Sequence, residues 1–293
     1  MPQDSIQIQP LRSLGEMDAA VRLQSIYWGH QPDSVISNHM LFSLTSNGGH
    51  VLAATDGDTP IAVLIGFIGT DMTHSDRPAR DNLLIYSKRM VVHPDYRHLG
   101  LGTRLKFAQR EHALKQGINR ICWTFDPLLS RNAYLNLRKL GAASSSFREN
   151  YYGTDNSGGL APLGYSDRLY IDWWLDDEQV VEIAAGAHTY KTVDDHVAAG
   201  TVVLNPTTET PDGLVHPAES LADVASDTPL LVEIPRDFVT IQENHPDLAR
   251  AWHEHNRTTL GERIAAGYTV IDFVPADYEG RARSFFVLQR ASD

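Results

Sequence analysis

The sequence has almost no cysteine and no long apolar run. Cys122 is the only cysteine among 293 residues, so an intrachain disulfide is excluded. No apolar stretch approaches the roughly 20 residues that a membrane-spanning helix needs. The first ten residues, MPQDSIQIQP, also lack the basic and then apolar pattern of a secretory signal. These absences predict a cytoplasmic protein.

Positive charge is also scarce, since 25 Lys and Arg face 37 Asp and Glu and the formal net charge is -12. That balance argues against a general affinity for nucleic acids or for anionic membranes. One stretch departs from it, because residues 88–110 contain six Lys or Arg and a single acid, Asp95. A local basic excess in an acidic chain predicts a small anionic ligand.

The histidines do not show the spacing of a metal site. The closest set is His245, His253 and His255, with spacings of eight and two residues. Ligands that face one metal from a single helix need spacings of three or four. We therefore expect no metal cofactor.

Strand and helix patterns alternate through the first 175 residues. Strands are predicted over 6–11, 50–69 as a hairpin, 82–92, 119–125 and 166–175, and helices over 14–29, 33–49, 102–116 and 130–141. This order predicts a layered α/β or α+β sheet flanked by helices, with a first domain over 1–175.

The remainder of the chain has a different composition. Residues 176–230 are rich in Pro, Thr, Ser and Asp, which predicts a loop-rich connector around one short strand, TVVLN. Residues 231–293 contain a strand, a helix of about 244–266 and two further strands. This β-α-β-β extension is small for an independent fold, so we expect it to dock on the first domain.

The glycine-rich stretch RHLGLGT, residues 97–103, follows a predicted strand and opens a helix. A dinucleotide fingerprint would need a third glycine, and the P-loop pattern is absent. The pattern Arg-x-x-Gly-x-Gly fits, with Arg97, Gly100 and Gly102. Glycines let backbone N–H groups turn toward an anion at the positive end of a helix, an arrangement that suits a pyrophosphate. The structural alternative is a tight turn whose basic residues are simply solvated.

The order of these elements resembles the GNAT acyltransferase superfamily, which uses acyl-coenzyme A donors. The resemblance covers about residues 6–175, and its most specific parts are MVVHPDYRHLGLGTRL and WTFDPLLSRNAYLNLRKLGA. It implies a mixed, mostly antiparallel central sheet with acetyl-CoA or another acyl-CoA as co-substrate. Further segments, among them YYG, SDRL and VEIPRDF, look like a branch of about this length. For some enzymes of that kind the resemblance implies amino acids as acceptors and succinyl-CoA as a donor.

The same resemblance implies a set of donor-binding residues. A strand open at its end would bind the pantetheine arm, the following loop would bind the pyrophosphate, and the start of the next helix would lie near the distal arm. In that order the residues are Val91, Val92, Arg97, His98, Leu99, Gly100, Leu101, Gly102, Thr103, Ser130 and Asn132.

Three positions depart from the superfamily pattern. His98 replaces a usual glycine, and Ala142 replaces a phenylalanine. Leu137 stands where a tyrosine usually protonates the leaving thiolate. The usual general acid is therefore missing.

Acyl transfer to an amine requires the amine to lie about 3 Å from the carbonyl carbon. It also requires a donor that polarises the oxygen, for which we consider the N–H of Val92, and a group that moves a proton. The candidates for proton transfer are Ser87, Glu149, Tyr151 and Tyr152, and those for substrate binding are Trp28, Lys88 and Arg168. Each has a structural alternative: core packing for the aromatics, a surface position for Lys88, and an ion pair with Asp167 or Asp172 for Arg168.

The sequence thus predicts an N-acyltransferase that moves an acetyl or succinyl group from coenzyme A to the amine of a small molecule, with amino acids as one acceptor class. The alternatives are a CoA-binding regulatory module without catalysis, a protein N-acetyltransferase, and a nucleotide-phosphate binder unrelated to CoA. We expect a monomer or homodimer that binds neither nucleic acid nor membrane.

Overall fold

The computed structural model describes residues 6–29, 35–71, 76–155 and 161–290. These residues belong to two compact units. The first comprises Met1–Trp123 and Trp174–Asp177, and the second comprises Thr124–Trp173 and Glu178–Asp293.

The first unit is a sheet with helices on both faces. Its strands are β1 (Ile6–Pro10), β2 (His50–Asp56), β3 (Thr59–Thr70), β4 (Leu83–Val92) and the start of β5 (Arg120–Phe125), and its helices are α1 (Leu14–Trp28), α2 (Asn38–Ser46) and α3 (Leu101–Lys115). The strand order is β1-β2-β3-β4-β5, with antiparallel neighbours except for the parallel pair β4–β5.

Local sequence explains where the helices of this unit begin. Ser13 and Glu16 form a reciprocal capping box that starts α1, and the Ser37 side chain accepts a hydrogen bond at the start of α2. Successive side chains of β2 and β3 point to opposite faces of the sheet, and Val51 and Val63 lie in a core beneath α1 and α2. Their neighbours face a second core beneath α3, where Leu101 and Leu105 are buried.

The second unit contains a further set of strands. Its strands are β6 (Ala143–Arg148), β7 (Arg168–Trp174), β8 (Val202–Val203), β11 (Leu230–Glu233), β12 (Tyr268–Tyr278) and β13 (Arg281–Arg290), with β9 (Thr208–Glu209) and β10 (Val215–His216) as a separate pair. The order is β7-β6-β12-β13-β11-β8, antiparallel except for β11–β8.

Helices of the second unit are mostly short. They are α4 (Ser130–Ala133), α5 (Glu178–Ala185), α6 (Val193–Ala198), α7 (Phe238–Asn244), α8 (Pro246–Asn256) and α9 (Glu262–Ala265). Two of them continue into π-helical turns, at Tyr134–Lys139 after α4 and at Arg257–Gly261 after α8. Within the described part of the chain, no helix is long and apolar enough to cross a membrane.

The predicted mixed, mostly antiparallel sheet flanked by helices is confirmed. The predicted helix of about 244–266 is confirmed, because α8 begins at Pro246, a position where proline is favoured, and the helical run continues through a π-helical turn and α9 to Ala265. Strand β6, in the serine-rich ASSSFR, escaped prediction because it lacks apolar alternation. The structure also places α5 and α6 within residues 176–230, and the predicted domain boundaries stay predictions.

Candidate functional site

The glycine-rich turn connects β4 to α3. A 3-10 segment, Pro94–Leu99, follows β4, and Gly100 then adopts φ 66° and ψ 17° as the N-cap of α3. A Cβ added at Gly100 would meet no atom within 4 Å. The left-handed backbone, and not lack of space, therefore favours glycine here.

The N-terminus of α3 presents unpaired backbone donors. The first helical hydrogen bond runs from the Arg104 N–H to the Gly100 carbonyl at 3.2 Å. Among the described residues, no side chain caps this end of the helix. The N–H groups of Leu101, Gly102 and Thr103 therefore lack intrahelical acceptors and lie at the positive end of the helix dipole. This arrangement suits a phosphate group.

Most of the basic residues near this turn serve the surrounding structure. Arg104 donates to the Ile6 carbonyl at 2.7 Å, and Arg110 donates twice to the Leu175 carbonyl, at 3.0 and 2.7 Å. Arg97 stays exposed beside the turn, with its Nε 3.4 Å from the Val92 carbonyl. Arg104 belongs to the basic stretch 88–110 that predicted an anionic ligand, but its guanidinium is bound to β1.

Strand β4 has one paired and one open edge near its end. The ladder with β5 comprises, in the described residues, Ile85↔Ile121 and Tyr86↔Cys122, while β4 continues to Val92. On the other edge, the His93 N–H donates to the Ile61 carbonyl at 2.8 Å.

Antiparallel pairing alternates the direction of successive N–H groups. The His93 bond to β3 therefore means that the N–H groups of Met90 and Val92 point away from β3, toward the edge where the β5 ladder has ended. The N–H of Val91 points toward β3, and its side chain packs into the core beneath α1 and α2. Of the two predicted valines, Val92 has the accessible backbone donor.

A β-bulge at Lys88 changes which face of β4 each side chain occupies. Ser87 pairs with Gly66, whereas Arg89 pairs with the residue before Gly66, so Lys88 is the extra residue. Without the bulge, Ser87 would share the face of Arg89 and Val91. With it, Ser87 lies on the α3 face, and Lys88 is exposed.

Lys106 is buried beneath α3 against Ser87. Its side chain is 3% exposed, its Nζ lies 2.9 Å from Ser87 Oγ, and the Nζ stands 3.4 Å from the centroid of the Trp123 ring. In the described ranges, no carboxylate forms a salt bridge with it. Burial lowers the pKa of Lys106 well below its ordinary value, partly offset by nearby Cys122. In the sequence, Lys106 is one of the six basic residues of the stretch 88–110. The stripe it shares with Gln109 and Ala113 could have indicated burial.

A histidine–glutamine pair lies next to Lys106. His50 Nε2 and Gln109 Nε2 are 2.8 Å apart. Gly66 leaves the room for this pair, since a Cβ there would come within 2.5 Å of the His50 ring. Burial, with smaller effects of His112 and Lys106, lowers the pKa of His50 to about 3. His50 is therefore neutral at physiological pH.

Trp28 is held within the first unit by Arg89. The Arg89 guanidinium carbon lies 4.3 Å from the centroid of the Trp28 ring, and its NH1 donates to Gln24 Oε1 at 3.1 Å. Trp28 also packs against the core beneath α1 and α2. Its contacts match the structural alternative of a packing residue.

In the second unit, the structure brings Tyr151, Tyr152 and Arg168 together. The two tyrosine rings meet edge to face at 4.8 Å, and each side chain is over one third exposed. The Tyr152 hydroxyl lies 3.4 Å from Thr124 Oγ1, and the Arg168 guanidinium carbon is 5.2 Å from the Tyr152 ring centroid. A hydroxyl and a cation thus stand side by side.

The carboxylate of Asp167 is bound by Arg257. Arg257 Nε and NH2 lie 2.8 and 2.9 Å from the two carboxylate oxygens, whereas Arg168 NH1 donates to the Asp167 backbone carbonyl at 2.7 Å. Glu149 lies at the edge of this pair, 3.8 Å from Arg257 Nε and mostly exposed. Glu149 thus contributes to a structural ion network.

The start of α4 holds the last two predicted donor-site residues. Ser130 Oγ donates to the Arg236 carbonyl at 2.6 Å, and Asn132 is half-buried. Leu137 is fully buried in the following π-helical turn. Asp126 accepts a hydrogen bond from the Leu128 N–H, and burial raises its pKa despite nearby Arg168. Asp126 was not among the candidates predicted from the sequence.

Among the described residues, no group of three or more His, Cys, Asp or Glu is placed to hold a metal ion.

Residues 17–141 match the model of the family described as Acetyltransferase (GNAT) family. The matched range includes β4, the Gly100 turn and α3. It identifies these residues as a GNAT acetyltransferase domain, for which the coarse activity is acyl transfer from coenzyme A.

No curated protein matches the chain significantly. The ribosomal-protein-S18-alanine N-acetyltransferase from Escherichia coli is similar, with 17% identity, 58% of this chain and 93% of that chain covered, and a TM-score of 0.43. A GNAT family acetyltransferase from Elizabethkingia anophelis with acetyl-CoA bound has 16% identity, 59% and 99% coverage, and a TM-score of 0.40.

An aminoglycoside acetyltransferase from an uncultured soil metagenomic sample, solved with trehalose, has 16% identity, 43% and 80% coverage, and a TM-score of 0.37. Likenesses this distant carry no argument about the acceptor of this chain.

Proposed function

We propose that this protein is an acyl-CoA-dependent N-acyltransferase that moves an acetyl or succinyl group from coenzyme A to the amine of a small molecule. One observation carries the proposal: the open edge of β4 leads, through the left-handed Gly100, directly into the uncapped N-terminus of α3. This segment therefore offers two successive sets of backbone N–H donors. The first set lies along the open edge of β4, and the second lies at the N-terminus of α3.

These donors match the two polar regions of coenzyme A. The N–H groups of Leu101, Gly102 and Thr103 would bind the pyrophosphate, with Arg97 adding a cation at the surface. The edge of β4 would pair with the amides of the pantetheine arm as an added strand would. The N–H of Val92 points to that open edge and would be one of these contacts to the arm.

For the acceptor, Arg168 and Tyr152 form the most suitable pair of described side chains. A guanidinium can bind a carboxylate through two parallel hydrogen bonds, so Arg168 would favour an acceptor that carries both a carboxylate and an amine. This chemistry supports an amino acid as acceptor. Tyr151 and Glu149 remain neighbouring candidates, Trp28 and Lys88 are candidates in the first unit, and Ser130 and Asn132 stay proposed donor contacts.

The test joins ligand binding to turnover. Coenzyme A and acetyl-CoA should raise the melting temperature, because a ligand at 100 times its Kd stabilises the folded state by about 2.7 kcal/mol. ADP is the control, since equal protection by ADP would favour a nucleotide-phosphate binder. Thiol release is then measured with acetyl-CoA or succinyl-CoA against amino acids of both chiralities. No thermal shift with any CoA species would refute the proposal.

One observation favours a second function. Leu137 is fully buried at the position where the superfamily resemblance implies a proton-donating tyrosine. A CoA-binding regulatory module without catalysis would explain that residue. It predicts thermal stabilisation by CoA with no thiol release on any amine.

A further inference from the structure

We propose that Ser87 and Lys106 form the proton relay of the acyl transfer, with Ser87 Oγ at the reacting atoms and Lys106 acting through it. This inference rests on the proposed function. Ser87 would be the catalytic residue in this relay, and Lys106 would be the positioning residue that stores the proton.

The place of Ser87 in the sheet is the first argument. Tyr86 is the last residue of β4 that pairs with β5 in the described residues, so Ser87 is the first residue of the open edge. The bulge at Lys88 directs the Ser87 side chain to the α3 face, and that face belongs to the helix whose N-terminus offers the anion donors. A donor molecule bound along the open edge would therefore pass Ser87.

The surroundings of Lys106 are the second argument. Its Nζ has Ser87 Oγ as its hydrogen-bond partner and the Trp123 ring beneath it, without a carboxylate among the described side chains to hold a positive charge. A buried lysine with such partners loses its proton easily, because desolvation penalises the ammonium form. A purely structural lysine would be expected to bring a carboxylate with it.

The titratable groups around Lys106 do not compete for this proton. His50 of β2 and His112 of α3 both have lowered pKa values, chiefly because of burial, so they are neutral near pH 7. Cys122 of β5 is the remaining titratable neighbour, and it favours the charged lysine. Lys106 is thus the titratable group of this cluster that lies within hydrogen-bond distance of Ser87 Oγ.

The relay balances protons and bonds without another reactant. The amine nitrogen of the acceptor forms a bond to the thioester carbon, and its proton passes to Ser87 Oγ while the Ser87 hydroxyl proton passes to neutral Lys106. The carbon–sulfur bond then breaks. The Lys106 ammonium returns its proton through Ser87 to the thiolate, so free coenzyme A leaves and Lys106 is neutral again. The relay would supply the acid that Leu137 cannot.

The first test measures protonation and needs no acceptor. The chain has five lysines, which can be labelled with 13C at Cε and followed by NMR against pH, and Lys106→Met assigns the resonance of Lys106. We expect Lys106 to titrate well below the other four lysines and to shift when coenzyme A is added. If it titrates together with the other lysines, the relay is refuted.

The second test separates a relay from a packing role. Ser87→Ala and Lys106→Arg should each lower kcat by roughly 100-fold or more, with little change in KM for acetyl-CoA, because an arginine stays charged and cannot accept a proton. Ser87→Thr, which keeps the hydroxyl, should retain most activity. The acid limb of the wild-type pH–rate profile should follow the NMR titration of Lys106.

Lys115→Met, on the exposed end of the same helix, is the matched control and should leave rate and pH profile unchanged. Circular dichroism and CoA binding report whether each variant folds. If Lys106→Arg does not fold, Ser87→Ala provides the test of the relay. Wild-type turnover with an unchanged profile in Ser87→Ala would refute the relay alone. Absence of CoA binding by the wild type would refute the proposed function, and the relay with it.

Discussion

Replacing Gly100 by aspartate should weaken coenzyme A binding without unfolding the protein. The Cβ of residue 100 has open space around it, and aspartate tolerates the left-handed backbone better than most residues. A carboxylate at a helix N-terminus also stabilises the helix by about 0.3–1 kcal/mol, which offsets much of the strain. The same carboxylate would stand where we place the pyrophosphate.

Charge repulsion sets the size of the effect. At about 6 Å, two unit charges repel by roughly 0.7 kcal/mol in water and by roughly 2.8 kcal/mol at an effective dielectric constant near 20. The site lies at the surface, so an intermediate value of about 1.4–2.8 kcal/mol is expected, which corresponds to a roughly 10- to 100-fold increase in Kd. Salt should reduce the difference, because exposed charges are screened.

Gly100→Asn is the matched control, since asparagine has nearly the same shape and backbone preference but no charge. The Kd for coenzyme A is measured by calorimetry for both variants at low and at high salt. Equal Kd values for the aspartate and asparagine variants would show that the pyrophosphate does not bind at this turn.

Two further predictions concern stability. Arg257→Met should lower the free energy of unfolding by about 3 kcal/mol in chemical denaturation, because it leaves the buried Asp167 carboxylate without its ion partner. Arg250→Met, which breaks the exposed pair with Asp247, should cost less than about 0.5 kcal/mol, and similar losses in the two variants would contradict the reasoning. His50, with a folded pKa of about 3, binds a proton more readily in the unfolded chain, so stability should fall as the pH drops below 6.5. Between pH 7 and pH 5 this residue alone should lower the free energy of unfolding by about 2 kcal/mol. Chemical denaturation at both pH values measures the change, and His50→Gln should remove it.

Local patterns were sufficient for much of the fold. Apolar runs marked β2, β3 and β4, and glycine after a helical stripe marked the end of α1. The turn before α3 was predicted from Arg97, Gly100 and Gly102 together with their place between a strand and a helix, because a left-handed residue at a helix start is a local requirement. The resemblance based on these elements agrees with the family match over residues 17–141.

Other features depended on contacts between distant residues. Nothing in the sequence near Arg104 or Arg110 indicates that their guanidinium groups bind the carbonyls of Ile6 and Leu175. Of the arginines in the basic stretch 88–110, Arg97 is therefore the one that stays exposed beside the proposed anion site. Likewise, an ion pair with Asp167 or Asp172 was the structural alternative for Arg168, whereas the structure shows the Asp167 carboxylate bound by Arg257, about 90 residues further on.

The sequence by itself determined the order of strands and helices in the first unit and the glycine turn that starts α3, since periodicity and backbone preference act within a few residues. Only the tertiary structure decided the chemistry beneath that helix. A single extra residue, Lys88, moves Ser87 to the face of α3, because side chains alternate along a strand and one inserted residue reverses them. Burial against Ser87 and Trp123 then lowers the pKa of Lys106, because the pKa of a lysine depends on the surrounding medium and not on its neighbours in sequence.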